Sequence, residues 1–159
     1  MIYSLLYLNE LWTGLPLERR QDYLLQLQEL YRQAGWWSDE LDTLERLERI
    51  ISGSCCFLIA ENTASEILGM GRAICDGVSD AYLQDITVKS DVRRRGVASQ
   101  IVETLVRHME SIGIAWIGLI AKAGTDGFYG HFGFSEIHEA IPMLKIKLKS
   151  IEPKGDVAT

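Results

Sequence analysis

Apolar residues recur along this chain in two rhythms, and the switches between them outline its elements. Ile2 to Leu8 is a short apolar run with strand character. From Leu17 to Gln33 the spacing turns helical, with Tyr23, Leu24, Leu27, Leu30 and Tyr31 on one face. Pro16 stands where such a helix can begin, and Gly35 where it ends. Leu41, Leu44, Leu47, Ile50 and Ile51 predict a second helix up to Ile51, capped by Ser38 or Asp39. Strand-like runs follow: Cys55 to Glu61, then Glu66 to Cys75, then a third from Ala81 to Val88. The turns Asn62-Thr63-Ala64-Ser65 and Asp76-Gly77-Val78-Ser79 separate them, so the three form an antiparallel meander.

Beyond the meander, Val97, Ile101, Leu105, Val106, Met109 and Ile112 are again spaced for a helix, with Gly113 at its C-terminal end. Ala115 to Ala121 reads as a buried fifth strand carrying Trp116, Ile117, Leu119 and Ile120. Thr125 or Asp126 can cap a short helix through His131, and a sixth strand starts at Gly133-Phe134. Met143 to Leu148 alternates as a last strand, and Pro153 to Thr159 reads as a loose tail. One domain over residues 1–148 with a tail at 149–159 is the expected organisation.

Two positions in the meander bear on chemistry. Alternation along the fourth strand puts Asp80, Tyr82, Gln84 and Ile86 on one face and Leu83, Asp85 and Thr87 on the other, unless a bulge resets the phase. Arg72 on the preceding strand and Asp76 at its end read as an ion pair or turn lock, with a surface or acceptor role as the alternative.

The segment that points to a ligand is Arg93-Arg94-Arg95-Gly96-Val97-Ala98, a basic glycine loop between a strand and a long helix. Unpaired amides at the start of that helix, together with its dipole, favour an anion there. Gly96 and Ala98 let a phosphate approach the backbone, and the arginines add charge. Neither G-x-x-x-x-G-K-[ST] nor a G-x-G-x-x-G that opens a helix after the first strand is present. The loop resembles the [Q/R]-x-x-G-x-[G/A] pyrophosphate loop of the GCN5-related N-acetyltransferases. A second stretch, Phe128-Tyr129-Gly130-His131-Phe132-Gly133-Phe134, is similar to the F-Y-x-x-x-G-F signature of the same family.

That resemblance, over roughly residues 2–148, implies an α/β (α+β) fold. Its mixed, mostly antiparallel sheet of about six to seven strands is flanked by about four helices and splayed between strands 4 and 5. It implies acetyl-CoA as acetyl donor, with the diphosphate end on Arg93, Arg94, Arg95, Gly96, Val97, Ala98 and Ser99. The pantetheine arm would run along Ile86, Thr87 and Val88, with Phe128 and Phe132 also against the cofactor. Tyr129 matches the tyrosine that protonates the departing thiolate. The asparagine that many members carry after the fifth strand is missing here, where Ala121-Lys122-Ala123-Gly124 stands instead. In the family the connection between the first two helices helps to form the acceptor site. That assigns Trp36 and Trp37, with Tyr82 and Gln84, to an amine acceptor, although the two tryptophans also read as core plugs.

An amine must lose a proton before it attacks a thioester. Asp80 or Asp85 could take it directly, and Tyr82 and Gln84 could order relay waters. His131 should face away from Tyr129, and His108 and His138 read as surface or packing residues. Direct transfer in a ternary complex is the expected mechanism. A CoA-binding sensor on the same scaffold and a transferase of longer acyl groups are the alternatives.

Composition narrows the partners. A net charge of −6 argues against a nucleic-acid surface and fits a cationic acceptor, whether a polyamine, an arylalkylamine, an aminoglycoside or a protein amine. No stretch is long and apolar enough for a membrane span, and Met1 to Leu8 lacks the basic flank of a signal peptide. Cys55, Cys56 and Cys75 have no metal spacing, and no other His, Cys and carboxylate cluster suggests a metal. The cysteines read as buried thiols of a cytoplasmic protein. A homodimer is the default assembly.

Overall fold

The computed structural model describes residues 1–145. Its sheet holds five strands in the order β1-β2-β3-β4-β5. They are β1 Tyr3–Tyr7, β2 Cys56–Asn62, β3 Ile67–Cys75, β4 Asp80–Val88 and β5 Trp116–Gly118. The first four pair antiparallel; β5 joins β4 in parallel. The helices are α1 Leu8–Leu11, α2 Leu17–Gln33, α3 Leu44–Gly53, α4 Val97–Ser111 and α5 Asp126–Gly130. The sheet is therefore mixed and mostly antiparallel, as expected, with fewer strands. No strand forms over residues 133–145, and the expected strand over 143–148 and tail at 149–159 reach beyond the described residues.

Each face of the sheet carries its own core. Along β2, Cys56, Leu58 and Ala60 pack towards α4, and Phe57 and Ile59 pack towards α1, α2 and α3. On the α4 face, Val97, Ile101, Val102, Leu105 and Met109 are all buried, each worth ~1.5–3 kcal/mol by transfer. Gly71 lets that helix sit close. A Cβ there would stand 2.7 Å from Ile101 and 3.1 Å from Ile86. The opposite face is closed by α2 through Tyr23, Leu24, Leu27, Leu30 and Tyr31, the positions its periodicity selects.

Several local expectations are corrected. The second helix starts at Leu44, and its cap is Thr43, whose side chain accepts the Arg46 N–H at 3.1 Å. Ser38 to Asp42 instead closes a turn, in which the Ser38 N–H donates to Asp42 at 2.8 Å, while Asp39 pairs with Arg32 and Trp37. Arg72 does not meet Asp76. Asp76 accepts the N–H groups of Val78, Ser79 and Asp80, which hold its carboxyl well below the usual range. β5 is three residues long rather than seven, and Trp116 and Ile120 face solvent because nothing in the described chain covers them.

Cys55 and Cys75 are not free thiols. They form a disulfide across the far end of the β2–β3 hairpin, with Cα atoms 5.7 Å apart. Only Cys56 is free, and burial pushes its thiol up to about 12. Thiol titration of unfolded protein prepared without reductant is expected to return one group per chain, and three after reduction. Cutting this crosslink is expected to lower unfolding stability by at most ~3 kcal/mol, read from urea curves with and without reductant. Three thiols before reduction would contradict the pairing.

Candidate active site

The loop before α4 acquires its shape from two left-handed residues, Arg94 at φ 60° and Gly96 at φ 83°. Gly96 is the N-terminal cap, and no atom lies within 4 Å of where its Cβ would be. The first backbone bond of the helix runs from Gln100 N–H to Gly96 C=O. The amides of Val97, Ala98 and Ser99 therefore have no backbone acceptor among the described residues. This is the geometry an anion requires. Arg93 donates to the Val88 carbonyl at 3.3 Å and so ties the loop to the end of β4. Arg94 and Arg95 are exposed and make no ion pair among the described residues.

β4 is interrupted in the middle. Met70 faces Thr87 and Arg72 faces Gln84, so β4 carries one residue more than β3 between those pairs. Asp85 sits at this bulge with φ 55°, a conformation aspartate tolerates. The phase resets: Ala81 and Leu83 face α4 before it, Ile86 and Val88 after it. On the other side, β5 pairs only with Asp80, Ala81 and Tyr82. From Leu83 onward that edge of β4 has no strand beside it among the described residues.

The bulge turns Asp85 onto the α2 face. Its Oδ2 accepts Tyr31 O–H at 2.7 Å and Arg72 Nε at 2.5 Å, and Arg72 also donates to Gln84 Oε1 at 2.6 Å. Burial first, and then the neighbouring Asp85 charge, raise the Tyr31 hydroxyl far above its ordinary value, so it remains a donor. Over this network lies a cavity of about 200 Å³, lined by Tyr31, Trp36, Trp37, Asp42, Thr43, Arg46, Leu47, Ile50, Arg72 and Asp85. Trp36 is placed there by the end of α2. Gly35 takes φ 75°, Trp36 N–H returns to Tyr31 C=O at 2.9 Å, and the two rings meet edge-on at 6.1 Å.

The expected acceptor residues thus divide. Trp36 and Trp37 share the cavity, Gln84 joins it through Arg72, and Tyr82 lies outside it beside β5. Tyr31, Asp42 and Arg46 were not singled out for this site, and Arg72 only as the alternative to a pairing with Asp76. Their signal in the sequence is faint, because Tyr31 belongs equally to the core face of α2. Tyr129 is half-buried on α5, edge-on to Phe128 at 5.0 Å and Phe134 at 6.1 Å. Burial raises its hydroxyl above the ordinary value, so the proton stays on through neutral pH. Phe132 lines a second, more open cavity of about 370 Å³ beside Val106 and Glu110, on the C-terminal half of α4. Among the described residues no group of three His, Cys, Asp or Glu could hold a metal. No helix there is long and apolar enough to cross a membrane.

The family model for the acetyltransferase (GNAT) domain matches residues 53–136, just over half of the chain, and spans β2 to α5. The chain belongs to the GNAT acetyltransferases. Among curated relatives it is 25% identical to serotonin N-acetyltransferase 2, chloroplastic, of Oryza sativa subsp. japonica, over 84% of this chain and 58% of the relative. The chain spans about 60% of the length of the curated relatives it matches first. Its fold is shared with glucosamine-6-phosphate N-acetyltransferase from Arabidopsis thaliana, with a TM-score of 0.69 and 19% identity, covering 92% of this chain and 99% of that one. It is also shared with AAC(6')-Iy, solved with the bisubstrate analog CoA-S-monomethyl-acetylneamine, with a TM-score of 0.62 and 20% identity, over 79% and 92% of the two chains.

The Arg72–Asp85 pair is expected to stabilise the fold of this GNAT domain as well as shape its site. Arg72→Leu leaves a half-buried carboxylate with one donor and should cost ~2–3 kcal/mol in urea unfolding. Adding Asp85→Asn, which tolerates the left-handed backbone and still accepts from Tyr31, should restore part of that loss. A double variant equal to the sum of the singles would show that the two residues do not act as a pair.

Proposed function

We propose that this chain is an acetyl-CoA-dependent N-acetyltransferase that passes the acetyl group directly to an amine. The observation that carries the reading is the join between an anion cradle and an open strand edge. The free amides of Val97, Ala98 and Ser99 lie at one end of the connection over residues 89–96, and the unpaired run of β4 at the other. The residues fit the cofactor: the cradle is open above Gly96, and Arg94 and Arg95 are exposed beside it. Acetyl-CoA supplies an activated thioester when bound.

The protein's own groups do the rest. Val97 to Ser99 bind the diphosphate, with Arg94 and Arg95 as further cations and Arg93 holding the loop to β4. Ile86, Thr87 and Val88 offer backbone groups to the pantetheine amides. A backbone N–H at that point, close to the carbonyl under attack, stabilises developing negative charge. Tyr129 keeps its proton through neutral pH and gives it up at the leaving sulfur. The amine enters from the Trp36 side of the sheet and loses its proton at Asp85 or to water ordered by Gln84.

Two variants test this. Gly96→Trp fills the space above the helix start, at a conformational cost of ~1–2 kcal/mol for a side chain in the left-handed region. It should abolish CoA binding by calorimetry while circular dichroism still reports a folded chain. Tyr129→Phe should lower kcat by ~100-fold and leave KM for acetyl-CoA within about threefold. Unchanged CoA affinity in the first would remove the cradle. Unchanged turnover in the second would remove Tyr129 from the chemistry.

A further inference from the structure

The polar atoms around the cavity between α2, α3 and the β4 bulge are almost all committed. Asp42 uses Oδ2 for the Ser38 N–H and Oδ1 for Arg46, both at 2.8 Å. Thr43 Oγ1 is taken by the Arg46 amide, the Tyr31 hydroxyl by Asp85, and two Arg72 nitrogens by Asp85 and Gln84. Both bonds to Asp85 fall on Oδ2. Oδ1 has no partner among the described residues and is not buried, so it is an accessible acceptor on a side chain that lines the cavity. One carboxylate oxygen is therefore left without a hydrogen bond, fixed in direction by Tyr31 and Arg72 behind it.

We propose that this cavity selects a small primary monoamine with a flat apolar body, and that Asp85 Oδ1 receives its ammonium group. The inference rests on the acetyl-transfer reading and specifies its acceptor. Charge argues for a single amine. One free anionic acceptor suits one cation, and a second ammonium would be driven against Arg46 and Arg72. Shape argues for a flat body. Trp36, 48% exposed at the rim, presents an indole that nothing among the described residues covers, with Tyr31, Leu47 and Ile50 behind it. Size argues for a small one, since about 200 Å³ is below the ~300–1,000 Å³ of sites for drug-sized ligands. An aminoglycoside would have to extend well beyond it. Arg72 and Tyr31 act as positioning residues, holding Oδ2 so that Oδ1 points outward.

The test is thiol release from acetyl-CoA with 2-phenylethylamine, spermidine, neamine and a lysine peptide, run beside calorimetric CoA binding. 2-Phenylethylamine is expected to give the highest kcat/KM, by about tenfold or more over each of the others. Asp85→Asn should raise its KM by about 10–100-fold with CoA affinity unchanged, as loss of one charge-assisted bond implies. Trp36→Ala removes an exposed side chain outside the Arg72 network, so it keeps the test open should Asp85→Asn unfold. It should raise the same KM several-fold. Preference for spermidine, neamine or the peptide, or KM values unmoved in both variants, overturns the monoamine pocket and leaves acetyl transfer standing. CoA binding with no release from any of the four also overturns it, and counts against acetyl transfer while leaving the CoA cradle. Absence of CoA binding in the unaltered chain fails the cofactor reading itself.

Discussion

One extra residue in β4 is the constraint on which the site depends. Without it, Asp85 would follow Leu83 towards α4 and the alternation would carry on undisturbed. With it, Ile86 and Val88 take the α4 side and Asp85 turns the other way, onto Tyr31 and Arg72. Bulges bend a strand and end its pairing, and β5 keeps company with β4 only up to Tyr82. The same kink thus creates a free strand edge and aims a carboxylate. Tyr31 and Arg72 then hold what the kink has placed.

Helix ends supply the other parts. At the end of α2, Gly35 reverses the chain so that Trp36 folds back on Tyr31, which brings an indole to the rim of the cavity. At the start of α4, Gly96 caps without a side chain, and the amides that follow are left for a ligand. Gly71 allows α4 to press on the sheet, which fixes where that helix start stands relative to β4. The open start of α4 and the Trp36 cavity therefore lie on opposite faces of one sheet, to either side of the β4 bulge.

Much of this was legible in the residues. The α2 limits followed from Pro16, Gly35 and five apolar positions, and the strand–loop–helix around Gly96 followed from a change of rhythm beside a basic run. What escaped was pairing at a distance. Arg72 lies closer in sequence to Asp76 than to Asp85, but the Asp76 turn consumes its own carboxylate and the bulge delivers Asp85 instead. Ser38 and Asp39 look like caps, yet Arg32, Trp37 and Asp42 engage them, and α3 waits for Thr43. Counting outward from the Asn62–Ser65 turn sets Cys55 opposite Arg72, and the register shift at Ala60/Glu61, which the residues do not announce, carries it towards Cys75. β5 was overextended because apolar content alone does not reveal that a strand loses its neighbour after three residues.

The central claim is that the α4 start and the open β4 edge form one cofactor track. An amide-resolved NMR titration of the labelled chain with CoA tests it most directly. The predicted result is that the largest shifts fall together on Val97, Ala98 and Ser99 and on Ile86 to Val88, with Gly35 to Asp42 little changed. Shifts confined to the Trp36 side of the sheet, or on the helix start with none along β4, would contradict it.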